Sequence, residues 1–352
     1  MTLLDELDHS RADFVWKDGE RLIAFGPAAL ASLPAYLRAA QMEQFVLLTT
    51  DRGLDQFGSI AIGGGEVAAA AEDTVLVGPG NVADLSASLR DKVGDRAIVA
   101  VGGGRVIDVA KAIAGTFGQR VAAIPTTLSG APMTGVHRLP TGYAGEARTV
   151  RPAVVIGVPD LMASQPRNLL VGSAMNALSH AVESMFVTTG SAIPRLAAAR
   201  AVKLLTRTLA DETINEDRLR LQLSLGALEA GYAVGTTGYA LHHVICQTIV
   251  RVAEVSHAPT YGVMLPYTLE FYKLRDDLTW NLISDEMGTP DPSMTIARLC
   301  AEAGNPTTLE ALGVAPERID TIVGTAAERR ELRLTPGGAD AEDIRSLIES
   351  AF

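Results

Sequence analysis

"AIVAVGGGRVIDVAKAIA", residues 97–114, decides how the chain is read. A short apolar run meets Gly102, Gly103 and Gly104, and then a stretch whose apolar residues recur at helical spacing. A buried parallel strand reads as a continuous apolar run, a helix as a 3.6-residue period. The stretch is therefore strand, glycine turn, helix. Glycines at such a junction let backbone N–H groups approach a phosphate, and the helix N-terminus adds partial positive charge. A tight turn needs glycine for its own sake, so the motif alone leaves both readings open. The next strand favours the nucleotide: "AIPTTLSG" ends in Thr126 and Thr127, at the carboxyl edge of the same sheet, where α/β sheets bind nucleotides. Asp108, one turn into the helix, is grouped with them. Asp51 follows the first strand of the sheet, where a carboxylate can accept from a ribose hydroxyl and would repel the extra phosphate of NADP. A helix N-cap or a turn would use Asp51 equally well.

Outward from that motif, strand and helix alternate. "FVWKDGERLIAFG" (14–26) reads as a hairpin with turn chemistry at Asp18-Gly19, and "PAALASLPAYLRAAQ" as a helix. "QFVLLTTD", "DTVLVGPGN", "RAIVAVGGG", "RVAAIPTT" and "RPAVVIGVP" read as strands with helices between several of them. This βαβ order implies a parallel sheet covered on both faces. After about Pro159 the strand signal stops. "RNLLVGSAMNALSHAVESMF", "RLAAARAVKLLTRTLADETI", "LRLQLSLGALEAGYAV" and "GYALHHVICQTIVRV" all show helical spacing. The expected organisation is an α/β dinucleotide-binding domain with a parallel sheet over 1–158 and an all-α catalytic domain over 159–352. "TPGGADAED" (335–343) reads as a loop before a short terminal helix.

Composition narrows the function. The 352 residues suit two domains. A net charge of −11 and a pI near 5.1 disfavour nucleic acid and anionic lipid as partners. The N-terminus carries acidic residues where a signal peptide needs basic ones, and no apolar run is long enough for a membrane span, so a cytoplasmic protein is expected. Cys246 and Cys300 offer no disulfide framework and read as buried thiols.

The helical half holds the chemistry. Asn176 and His180 are four apart and share a helical face, as do His243 and Gln247, while His257 follows a break in the pattern. A single histidine on an apolar helix is commonly a core residue; several on two helices of one domain point to a site. The combination "GGGRVIDVAKA", "IPTTLSGAPMT", "MNALSHAVES" and "SHAPTYGVMLPY" resembles the iron-containing (group III) alcohol dehydrogenase family along nearly the whole chain. "ALHHVICQTI" and the tail "NPTTLEALGV … EDIRSLIESAF" look most like its maleylacetate reductase branch. The resemblance implies the dehydroquinate synthase-like fold of that family, a homodimer, and NADH- or NADPH-dependent reduction of a carbon–carbon double bond and a keto group.

Carried over residue by residue, the family's metal-ligand positions fall on Asn176, His180, Gln247 and His257. The usual set is one aspartate and three histidines, so the resemblance implies a degenerate site. Losing the aspartate removes an attraction to a dication of order 10 kcal/mol at an effective dielectric of about 20. A glutamine oxygen suits Fe²⁺ or Zn²⁺ less well than imidazole. Catalysis is expected without metal, with His242, His243, His180 and His257 as candidate proton donors and Asn176 and Gln247 as hydrogen-bonding groups. Arg105 stands where the family has a small serine after the glycines, and "GAP" (130–132) where it has "GSE". His137, Arg138 and Tyr261 carry no family role, and Arg138 and Arg251 are candidate carboxylate partners. The leading expectation is an NAD(H)-dependent reductase of a small oxo or enone-like acid. The alternatives are a scaffold repurposed for lyase, isomerase or cyclase chemistry, and a metal-dependent alcohol dehydrogenase with altered ligands.

Overall fold

A computed structural model of the chain describes residues 14–19, 21–59, 71–135, 138–146, 148 and 150–352. The acidic N-terminal stretch and His137 lie outside the described residues. The chain divides into two units, Met1–Ser164 and Gln165–Phe352.

The first unit holds β1 (Phe14–Asp18), β2 (Arg21–Phe25), β3 (Phe45–Thr49), β4 (Asp73–Leu76), β5 (Ala97–Gly102), β6 (Val121–Pro125) and β7 (Val154–Gly157). They form one sheet in the order β1-β2-β7-β6-β5-β3-β4. β1 and β2 are the expected hairpin, paired antiparallel from Phe14 opposite Phe25 to Asp18 opposite Arg21, with Gly19 at φ +62° in the turn. Every other pairing is parallel. Its helices are α1 (Leu33–Ala39), α2 (Asp51–Ser59), α3 (Val82–Val93), α4 (Gly104–Phe117) and α5 (Pro159–Met162). The helix expected over 27–41 opens as a 3-10 turn at Ala29–Ser32 before α1, where Pro34, lacking an N–H, suits the first helical turn.

Alternate strand residues point to opposite faces. Val46, Leu48, Ile98 and Ala100 pack with α3 and α4 on one face. Phe45, Leu47, Val99 and Val101 pack with α1 and Phe57 of α2 on the other. Burial on both faces is why these strands read as unbroken apolar runs. Leu161 of α5 is part of that second core, so Pro159–Met162, placed with the helical domain by the end of the strand signal, falls in the first unit.

From β3 the chain goes to β4 at the sheet edge and then crosses back to β5 on the other side of β3. The reversal opens a crevice at the carboxyl ends of β3 and β5, the place where α/β sheets take ligands. Asp51 and Gly102–Gly104 stand at those two ends.

The second unit is helical throughout its described residues: α6 (Arg167–Phe186), α7 (Ala192–Ala210), α8 (Glu216–Thr237), α9 (Leu241–Ala253), α10 (His257–Lys273), α11 (Asp277–Met287), α12 (Pro292–Glu302), α13 (Leu309–Leu312), α14 (Ile319–Ala327) and α15 (Ala341–Ser350). α9 stops at Glu254, which takes a left-handed conformation (φ 56°), and the chain re-enters a helix at His257. The terminal helix starts inside the stretch read as a loop, because Asp340 caps it and Asp343 completes a capping box. Cys246 and Cys300 are buried free thiols. Among the described residues, no helix is long and apolar enough to cross a membrane.

Candidate active site

At the glycine turn the need is for space. Gly103 precedes α4 with φ −72° and ψ −177°, a conformation open to any residue. A Cβ on Gly102 would lie 2.6 Å from Cγ2 of Val106, on Gly103 3.1 Å from Cγ2 of Thr127, and on Gly104 2.6 Å from Oγ of Ser129. No side chain caps the start of α4, so its first N–H groups stay available to a ligand. The glycines thus let the turn pack closely on Val106, Thr127 and Ser129, and an uncapped helix N-terminus is a place where a phosphate can bind. The Thr126 N–H is tied to the Gly102 carbonyl at 3.0 Å. The Thr49 hydroxyl donates to the Val101 carbonyl at 2.8 Å, locking the end of β3 to β5. Asp51 is exposed on the first turn of α2, and Arg105 is exposed on the first turn of α4.

Asp108 is engaged within the unit: its carboxylate pairs with Lys111 at 2.7 Å. Lys111 is fully buried and donates to the carbonyls of Ala131 (2.9 Å) and Gly135 (3.3 Å). Arg21 donates to the carbonyls of Pro132 and Pro152. These two cations hold the Ala131-Pro132 segment in place. Lys111 was not singled out from the sequence. Its signal was a lysine three residues after an aspartate inside an otherwise apolar helix.

The second cluster lies in the helical unit. The His180 ring of α6 stacks on His243 of α9, centroids 4.7 Å apart. His243 also faces Tyr261 at 5.1 Å and Tyr239 at 5.5 Å, and His257 faces Tyr261 at 4.5 Å. Glu183, three residues after His180, organises the cluster. Its Oε2 lies 2.6 Å from His243 Nδ1, while its Oε1 accepts from the His242 N–H and the Tyr272 hydroxyl, both at 2.7 Å. Burial pushes this carboxyl up, but His243 and the hydrogen bonds outweigh it and hold the group down at about 2. Glu183 is thus an ionised acceptor, and the His243 Nδ1–H donates to it. Among the described residues, His243 Nε2 has no partner; the same holds for His180 Nδ1 and Asn176 Oδ1.

The other histidines differ. His242 has both ring nitrogens occupied: Nδ1 is 2.8 Å from the Thr268 hydroxyl, and Nε2 is 3.6 Å from the Cys246 sulfur. Burial, with His243 beside it, depresses His242 to about 3, so it is neutral at physiological pH. Burial and the neighbouring histidines hold His180 well below its usual value. His257, at the start of α10, is exposed. Asn176 is buried one turn before His180 on α6.

Gln247 stands one turn after His243. Its Oε1 accepts from Arg329 at 3.3 Å, so a guanidinium sits on that oxygen. The neutral amides of Asn176 and Gln247, with a fixed cation beside one of them, attract a dication less than a carboxylate would. Among the described residues, no three His, Cys, Asp or Glu side chains gather in a metal-holding group. Arg138 and Arg251 are both exposed. Glu183, Tyr239, Thr268, Tyr272 and Arg329 were not found from sequence. Only Glu183 left a signal there, a carboxylate within the apolar run "SHAVESMF".

The first unit has the sheet order of nucleotide-binding α/β folds, and the helical unit carries clustered histidines. Residues 24–135 match the family described as iron-containing alcohol dehydrogenase, and residues 170–352 match the C-terminal part of the Fe-containing alcohol dehydrogenase family. Maleylacetate reductase 1 of Rhodococcus opacus is 32% identical over 78% of this chain and 78% of its own. Maleylacetate reductase of Pseudomonas aeruginosa is 27% identical over 94% of this chain and 95% of its own. The solved structure of maleylacetate reductase from Agrobacterium tumefaciens superposes with a TM-score of 0.78 at 22% identity, covering 97% of this chain and 98% of that one, a likeness of fold. The chain belongs to the iron-containing alcohol dehydrogenase family, and within it is similar to maleylacetate reductases.

Proposed function

We propose that the chain is an NAD(H)-dependent reductase of the maleylacetate reductase type, acting on a small oxo or enone-like acid without a catalytic metal. The observation that carries the reading is His243: Nδ1 is held by an ionised Glu183, and buried Nε2 has no partner among the described residues. That is the arrangement of a proton donor oriented by a carboxylate.

The Gly102–Gly104 turn and the first N–H groups of α4 receive the pyrophosphate, and Asp51 receives a ribose hydroxyl and disfavours NADP. A bound reduced nicotinamide supplies the hydride. His243 gives the Nε2 proton to the substrate atom that becomes negative as hydride arrives, and Glu183 stabilises the imidazolium that donates it. Hydride and proton together account for one reduced bond. The Asn176 amide offers a further hydrogen bond to a substrate oxygen. His242, neutral and engaged at both nitrogens, positions the helix that carries His243.

The test is titration with NADH and NADPH, followed by turnover with maleylacetate for the wild type and His243→Gln. Saturable NADH binding, weaker NADPH binding, and loss of turnover in the variant with NADH binding intact support the reading. Failure to bind either nucleotide overturns it.

A further inference from the structure

Burial holds His180 and His242 neutral, and the Asn176 and Gln247 amides carry no charge. Arg329 sets a permanent cation beside them, of the sign an acidic substrate calls for. It stands after α14, with extended backbone, at the start of a 3-10 turn over Arg330–Leu334. Its Nη2 donates to Gln247 Oε1 at 3.3 Å, the Tyr239 hydroxyl at 3.1 Å and Glu331 Oε1 at 2.8 Å. Its Nε donates to Glu331 Oε2 at 3.1 Å. None of these bonds uses Nη1. Gln247 lies one helical turn from His243, and the Tyr239 ring faces His243, so the guanidinium is joined to the histidine cluster through both.

We infer that Arg329 is the anion-binding residue of this site and that it takes a carboxylate of the substrate. The inference rests on the reductase reading for the reaction, but not for the binding. A guanidinium is a planar, permanently charged fork that matches a carboxylate. Glu331 already displays that match, with both of its oxygens on the Nε–Nη2 edge. The side chains of Arg329 and Glu331 are 23% and 34% exposed, so an incoming carboxylate can reach Nη1 or exchange with Glu331. The same guanidinium puts a fixed positive charge at Gln247, one helical turn from His243.

The competition with Glu331 gives the inference a sign. Removing the Glu331 charge should strengthen anion binding, because a rival carboxylate is gone. A purely structural ion pair predicts no gain from that change.

The experiment is calorimetric titration of the full chain with maleate, a four-carbon dicarboxylate, with dimethyl maleate as the uncharged control. Wild type binds maleate in preference to the diester. Arg329→Met weakens maleate binding about 10- to 100-fold, the worth of charge-assisted hydrogen bonds. Arg329→Lys is intermediate, because charge survives and the fork does not. Glu331→Gln tightens maleate binding severalfold. Absence of maleate binding to the wild type, an Arg329→Met variant that binds as the wild type does, or a Glu331→Gln variant that binds more weakly overturns the inference. If Arg329→Met fails to fold, Arg329→Lys and Glu331→Gln, which keep side-chain bulk, decide the matter. Turnover with NADH is measured separately. Binding through Arg329 without turnover contradicts the reductase reading and leaves the anion site standing; turnover with unchanged maleate affinity in Arg329→Lys does the reverse.

Discussion

Glu183→Gln tests the proton donor most sharply, because it keeps shape and removes charge. Oε1 of Glu183 accepts from the His242 backbone N–H and the Tyr272 hydroxyl, so that atom must remain an oxygen in the variant. The new amide nitrogen therefore replaces Oε2 and faces His243 Nδ1. Nδ1 must then accept rather than donate, and the imidazolium loses its counter-charge. General acid–base catalysis contributes about 10²- to 10⁴-fold, and turnover should fall by that order. Stability changes as well. The carboxyl goes from 4.5 to about 2 on folding, and at about 1.4 kcal/mol per pKa step the gap is worth about 3 kcal/mol. A depressed carboxyl stabilises above its unfolded pKa, and that stability is lost as pH falls toward the folded value. The wild type should thus lead the variant in melting temperature at pH 7, and the lead should shrink between about pH 4.5 and pH 2. The assays are NADH oxidation with maleylacetate across pH, and thermal melts over the acid range. A variant with wild-type turnover and pH profile would refute the role given to His243 and Glu183.

Asp51→Ser should move preference from NADH toward NADPH by about tenfold, roughly 1.4 kcal/mol, since it removes the repelling carboxylate; the ratio of the two dissociation constants checks it. Gly102→Ala should cost about 1–3 kcal/mol in denaturant unfolding, because its methyl would lie 2.6 Å from Val106 Cγ2 and 2.8 Å from Val106 Cβ. Lys111→Met should cost about 3–5 kcal/mol, as it removes the buried cation that pairs with Asp108 and donates to the carbonyls of Ala131 and Gly135; a midpoint within error of the wild type would count against it.

The strands were legible because burial on both faces leaves them continuously apolar, as in "RAIVAVGGG". The parallel order followed from βαβ alternation, and the helical half from 3.6-residue spacing. The end of the first unit was less legible, since Leu161 is an ordinary apolar residue whose side chain happens to join the sheet's core. Pairs at i, i+4, such as Asn176 with His180, could be placed on one face. Partners from distant segments could not. Nothing in the spacing tells that Tyr272 reaches Glu183 across 89 positions, or that Arg329 reaches Gln247 across 82. Ranking the histidines needed those partners: His242 and His243 are neighbours in sequence, yet one is engaged at both nitrogens and the other at one.

The decisive measurement is a single-turnover reaction of chelator-treated protein, its metal content checked by mass spectrometry, with NADH and maleylacetate. A metal-free reductase should oxidise one NADH per active site at the rate of the untreated protein, and added Zn²⁺ or Fe²⁺ should not raise that rate. No NADH oxidation until a divalent metal is restored would contradict it, and would return catalysis to the ion that Asn176, Gln247 and Arg329 argue against.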